Sequence, residues 1–174
     1  VGSGLKTHHA DSYVMVTLPA DGTYCVHVGD TACKGGEEYA YRLRISPPQP
    51  DFAVRLVPSS VALRAKGSNT VSVYAIRKDG FTGDIKLSLK DPPEGFSSSP
   101  LSLTAKQEVV RFTVKTDLTE TKEPVSLVVQ GRAKIGEQDV AHEAVPAEDR
   151  MQAFLWRHLV PAEKLRVLVY DPSY

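Results

Sequence analysis

Five histidines, two cysteines and a scatter of loop carboxylates are the residues of this 174-residue chain whose types could do chemistry. His8 and His9 stand side by side two residues before Asp11 and raise a metal or acid–base site. Adjacent residues on a strand point to opposite faces, so two such imidazoles grip one ion only on irregular backbone. A polar N-terminal segment is the simpler reading. His27, His142 and His158 are isolated in the sequence. A catalytic histidine needs a nucleophile or an orienting carboxylate within reach, and no GxSxG-type setting marks one. Assembly from distant residues is the remaining route to an enzyme, and the chain is expected to be non-catalytic. Cys25 and Cys33 either pair across their loop or stay as two thiols, and pairing requires the loop to fold back along its strand. The unpaired form is the expectation. Structural zinc takes four N or S ligands, which these two do not supply alone.

Carboxylates and aromatic rings offer two further chemistries. Asp79 and Asp84 flank the turn DGFTGD, while Asp30, Glu37 and Glu38 bracket the cysteine loop. Loop oxygens of this kind suit calcium, although neither group matches an EF-hand or a nonapeptide repeat. Carboxylates that favour a local bend are the plainer reading, so no cofactor is expected and calcium at Asp79 and Asp84 is the alternative. Trp156, Tyr39, Tyr41, Tyr74, Phe81 and Phe96 are the pool for a sugar-stacking platform. Tyr39 and Tyr41 share the parity of Leu43 and Ile45, which reads as core. Phe81 and Phe96 flank one strand and read as caps on a sandwich. Those two and Trp156 are the candidate ligand-binding rings.

The elements that must position these groups are strands. YVMVTL, residues 13–18, is β-prone and apolar, and PADG supplies a turn after it. In GTYCVHVGD, Tyr24, Val26 and Val28 fall on one face, with Cys25 and His27 on the other. In EYAYRLRIS, Tyr39, Tyr41, Leu43 and Ile45 fall together against Arg42 and Arg44. These three strands read as a meander over residues 1–46, small for a domain by itself. Pro47, Pro48 and Pro50 withhold backbone donors and mark residues 47–51 as a linker.

After the linker the alternation resumes. FAVRLV and VALRA, interrupted at Pro58, read as a first strand divided between two sheets. TVSVYAIR, IKLSLK, LSLT, EVVRFTVKT and PVSLVVQG follow, and RAKI, GEQ and DVAHEAV read as a last hairpin. About seven to eight short strands at roughly 8–12-residue spacing is the signal of a β-sandwich. Residues 146–174 change character: Pro146, Glu148 and Asp149 open a run with Met151, Phe154, Leu155 and Leu159 at helical spacing, closed by Pro161. A short amphipathic helix is expected there, with LRVLVYD as one further strand. The fold class is therefore all-β: a small meander plus a sandwich at 52–145, and a helix–strand tail at 146–174.

Composition narrows the partners. Lys plus Arg and Asp plus Glu are 21 each, so no basic field attracts phosphate backbones and nucleic acid is not an expected partner. The longest apolar runs fall far short of the roughly 20 residues of a membrane-spanning helix, and no membrane insertion is expected.

Two resemblances add to this reading. DSYVMVTLPADGTYCVHVGD followed by GGEEYAYRLRIS, roughly residues 8–46, resembles the closing strands of the bacterial pre-peptidase C-terminal domain. That β-sandwich module accompanies secreted peptidases and large surface proteins, and its opening strands have no counterpart in the chain. GFTGDIKLSLKDPPEGF resembles the immunoglobulin-like repeats of large secreted proteins of planctomycetes and their relatives, over about residues 52–145. The resemblances imply an extracytoplasmic accessory module that does spacing, adhesion or protein contact, its partners being other domains of its own polypeptide, an extracellular protein or a glycan. Carbohydrate binding and service as the appendage of a secreted peptidase are the alternatives.

Overall fold

Alternation with period two gives each strand one apolar face, and two sheets become stable by burying those faces against each other. A computed structural model of the chain, describing residues 5–6, 13–30, 32–152 and 156–173, shows this solution. Its strands are β1 (Leu5–Lys6), β2 (Asp51–Val57), β3 (Ser60–Arg64), β4 (Ser68–Lys78), β5 (Ile85–Lys90), β6 (Phe96–Ser98) and β7 (Leu101–Leu103). They continue as β8 (Val109–Thr116), β9 (Val125–Ile135), β10 (Gln138–Glu143), β11 (Val145–Gln152), β12 (Trp156–Pro161) and β13 (Leu165–Tyr170). Among the described residues there is no helix. The protein is all-β.

One sheet runs β1-β12-β11-β2-β4-β8-β6, and the other runs β3-β13-β9-β5-β7 with β10 paired to β9. Pro58 carries no N–H, and the chain leaves the first sheet there: β2 pairs with β4, whereas β3 pairs in parallel with β13. The expected division of the first strand between two sheets is thus observed. Between the sheets Phe52, Val54 and Leu56 of β2 meet a core that includes Ile85 and Leu87 of β5 and Val129 of β9. Phe112 of β8, wholly buried, fills the same layer. LRVLVYD folds back as β13, with Leu165, Val167 and Val169 buried, and pairs antiparallel with β9.

The edge of β9 opposite β5 is shared. β13 occupies it along Val125–Leu127 and β10 along Gln130–Ile135. Between β10 and β13 the chain crosses at buried Ala144, whose N–H donates to the Val129 carbonyl at 2.7 Å, and makes an excursion onto the other sheet. That excursion corrects the expected helix. Residues 145–161 supply the β11–β12 hairpin, in register from Ala147 opposite Pro161 to Gln152 opposite Trp156. The open edge of β2 templates it, through parallel pairing of Val145 with Arg55 and Pro146 with Leu56. Glu148 then accepts from the Ser59 N–H at 3.0 Å and the Ser59 hydroxyl at 2.5 Å, and Arg157 pairs with Asp149 across the hairpin. A helix this short is marginal by itself, so a sheet edge that needs a partner outweighs the 3.6-residue spacing.

A second correction concerns the N-terminal part. Residues 13–30 and 32–50 contain no strand, and their apolar side chains are exposed, Val14 by 82% and Tyr41 by 77%. The expected core placing of Tyr39 and Tyr41 is therefore not met. Three short strands form a ladder only if something pairs with them and covers one face. The sandwich holds this segment by hydrogen bonds at the turn after β4, where Asp79 accepts from Tyr13 and Gln49.

Candidate functional site

That turn carries the acidic residues singled out above. Lys78 to Phe81 form a tight reversal closed by the Phe81 N–H donating to the Lys78 carbonyl at 3.0 Å. Asp79 and Gly80 have φ of 48° and 78°, the two left-handed positions of a type I′ turn, which explains the Asp-Gly pair. The turn does not join neighbours in one sheet; it carries the chain from β4 across to β5. Asp79 accepts from the Gln49 N–H at 2.9 Å and the Tyr13 hydroxyl at 2.8 Å, which anchors the N-terminal segment at both ends. The Gln49 N–H first, then the Tyr13 hydroxyl, hold its carboxyl below the usual carboxylate range, and the same bond raises the Tyr13 phenol. Asp84 accepts from the Ala105 N–H at 3.2 Å. The two carboxylates thus fasten different backbone segments. Among the described residues no three His, Cys, Asp or Glu side chains gather where a metal ion could be held.

Phe81 and Phe96, two of the candidate rings, take different positions. Phe81 is buried, stacked on Phe52 at 5.6 Å between centroids, with the Arg77 guanidinium 5.4 Å from its ring centre. Arg77 also donates to the Gly83 carbonyl at 2.6 Å and the Thr104 carbonyl at 2.8 Å, so it pins the crossing. Phe96 opens β6 and is buried at the other end of β5. Neither ring is presented to a ligand; both close the sandwich. Trp156 opens β12, and its side chain lies outside the described residues.

Among the described residues the histidines join no cluster of three His, Cys, Asp or Glu side chains. His8, His9 and Asp11 lie outside the described residues, and His27 is exposed. His142 on β10 meets Asp51 at 2.7 Å and sets its edge on Phe52 at 4.9 Å. Burial pushes the Asp51 carboxyl up, but bonds from His142 and the Phe52 backbone outweigh it and leave the carboxyl below its ordinary value. Among the described residues the polar side-chain partner of His142 is the Asp51 carboxylate. Cys25 and Cys33 are free thiols at the surface.

A different place on the molecule has the geometry of a binding site. Alternation turns Lys86 and Ser88 of β5 outward, and likewise Gln130, Arg132 and Lys134 of β9. The β5–β9 register sets Lys86 directly opposite Arg132 and Ser88 opposite Gln130. Two open hollows adjoin there, one of 630 Å³ bordered by Ser88, Ser102 and Gln130, the other of 870 Å³ bordered by Asp84, Lys134 and Asp139. Lys86 and Arg132 line both. Nearby cations have partners: Lys90 meets Glu143 at 2.6 Å and Lys134 meets Glu137 at 3.9 Å. Among the described residues Lys86 and Arg132 have no carboxylate within ion-pair distance. Like charges directly opposite on a sheet are destabilising. Alternation within IKLSLK is enough to put Lys86 on the outer face, but it cannot set Arg132 beside it, since that depends on the register of distant segments.

No family model matches the chain, and no curated protein matches it either.

Proposed function

We propose that the chain is a non-catalytic accessory module of a larger extracytoplasmic protein, serving adhesion or spacing through contact with neighbouring domains or an extracellular protein. One observation carries this reading. Residues 13–45 keep the alternating pattern of strands yet expose their apolar side chains, Val16 by 70%, Tyr41 by 77% and Ile45 by 74%. Contiguous exposed apolar surface marks interaction sites in soluble proteins, and Asp79 fixes the segment to the sandwich at Tyr13 and Gln49. The resemblances to the pre-peptidase C-terminal domain and to secreted immunoglobulin-like repeats support the same reading and supply its extracytoplasmic setting.

Photo-crosslinking within the full-length polypeptide tests it. A photoreactive residue at Tyr41 or Ile45 should give crosslinks to another domain or an extracellular partner in high yield. The same group at Lys122, an exposed loop position on the sandwich, supplies the background. Equal yields at all three positions would refute the contact role.

A further inference from the structure

We infer that the outer face of the six-stranded sheet holds a binding site for an acidic polysaccharide, with the Lys86 and Arg132 pair as the anchor for a carboxylate or sulfate group of the sugar. This inference stands apart from the exposed N-terminal segment. Cross-strand partners place their Cβ atoms about 5 Å apart, and among the described residues this pair has no carboxylate within ion-pair distance while Lys90 and Lys134 each have one; Asp84 and Asp139 border the second hollow without reaching the pair. A single oxyanion between the two heads removes their repulsion and accepts a charge-assisted hydrogen bond from each. The chain has no net charge, so the attraction is local to this face.

What surrounds the pair selects the class of ligand. Ser88, Ser102 and Gln130 border the hollow with groups that both donate and accept, the chemistry that suits sugar hydroxyls. Gln130 is buried and donates to the Ser88 hydroxyl at 3.5 Å, so Ser88 and Ser102 are the groups that face a ligand most openly. An acidic peptide is a poorer fit. β5 is paired with β7 along Ile85–Leu87 and with β9 along Lys86–Lys90, so its backbone at Lys86 offers no ladder for an added strand. Pro100 and Leu101 are the apolar residues near Ser102, at one rim of the hollow. The buried Phe81 and Phe96 take no part, which distinguishes this site from an aromatic platform.

Affinity electrophoresis and calorimetry of the 174-residue chain test the site. The probes are polygalacturonate, chondroitin sulfate, dextran and poly-glutamate. Retardation by polygalacturonate, by chondroitin sulfate or by both is expected; polygalacturonate carries carboxylates alone and chondroitin sulfate carries carboxylates and sulfates, so retardation by the second alone identifies sulfate as the anion recognised. Lys86→Thr and Arg132→Thr should each weaken binding about tenfold or more, and should leave the thermal midpoint unchanged or raised because they relieve the repulsion. A lowered midpoint in both variants would overturn the inference, since it would mean the cations are held for the fold. Equal retardation by dextran, equal binding by poly-glutamate, no binding to either acidic polysaccharide, or binding that survives the double substitution would each overturn it as well.

Discussion

Gly131→Ala tests the packing that holds the candidate site together. Gly131 sits on β9 opposite Leu87 of β5, next to the Lys86 and Arg132 pair. A Cβ added there meets Ile85 Cγ2 and Val54 Cγ2 at 2.9 Å each and Phe52 Cε2 at 3.2 Å. Carbon atoms pack comfortably at about 3.5–4.0 Å, so the two methyl contacts are short by about 0.6 Å. Ile85 and Val54 belong to opposite sheets and are 0% and 1% exposed, so neither can move aside without moving its sheet. Overpacking of this kind costs about 1–3 kcal/mol. Loss of glycine's freedom in the unfolded chain returns about 0.4–1 kcal/mol. The net expectation is destabilisation by about 1–2 kcal/mol, read as a lower urea midpoint with unchanged slope and a Tm reduced by about 3–6 °C. Gly35→Ala is the control, since a Cβ there meets nothing within 4 Å, and it should shift stability by less than about 0.5 kcal/mol. A Gly131→Ala protein as stable as the parent would mean that the sheets are not pressed together at β9, and the geometry drawn for the outer face would fall with that packing.

Two further outcomes follow from the core and from the acids. Phe112 is wholly buried, and Phe112→Ala should cost about 3–5 kcal/mol in urea unfolding; a loss below 1 kcal/mol would show that the two sheets do not share this layer. Acid should destabilise the protein. The Ser59 hydroxyl and N–H hold the Glu148 carboxyl below its ordinary value, and Asp51 is also depressed. A depressed carboxyl contributes stability that is complete above its unfolded value near pH 4 and is lost as pH falls through the lower folded value. Urea midpoints should therefore drop between pH 5 and pH 3, and Glu148→Gln should drop less across that interval; an identical pH profile for the variant would contradict the Ser59 contact.

Much of the sandwich is legible in the residues, and the failures have physical causes. Phe52, Val54 and Leu56, or Ile85 and Leu87, announce their burial by alternation, because period two is a property of the single strand. Pro58 announces the change of sheet. The stretch Pro146–Pro161 reads as helix because its spacing is local, whereas its hairpin is decided by the vacant edge of β2 and by Ser59, both far away in sequence. Residues 13–30 and 32–45 carry strand alternation without a strand, since a ladder needs a partner that parity cannot supply. Asp79 and Asp84 read as turn carboxylates, but which backbone segments they hold is again non-local.

Register is where core and candidate site become one question. The pairing that brings Gly131 opposite Leu87, its missing Cβ admitting Val54 and Ile85, also brings Arg132 opposite Lys86 on the other face. A slip of one residue of β5 against β9 would turn Lys86 inward and Leu87 outward while Arg132 stayed on the outer face. The buried face forbids that slip, so the like-charged pair is held in place by packing on which it has no favourable influence. An exposed pair could reduce its repulsion by a single change at either position without touching the core. Its cost is small beside the burial of Ile85 and Leu87, each of which is worth roughly 1.5–3 kcal/mol, so the fold tolerates two unneutralised cations. Tolerance leaves their use open to a ligand: an anion bound between them gains from charges that the core has already positioned, and pays little to organise them.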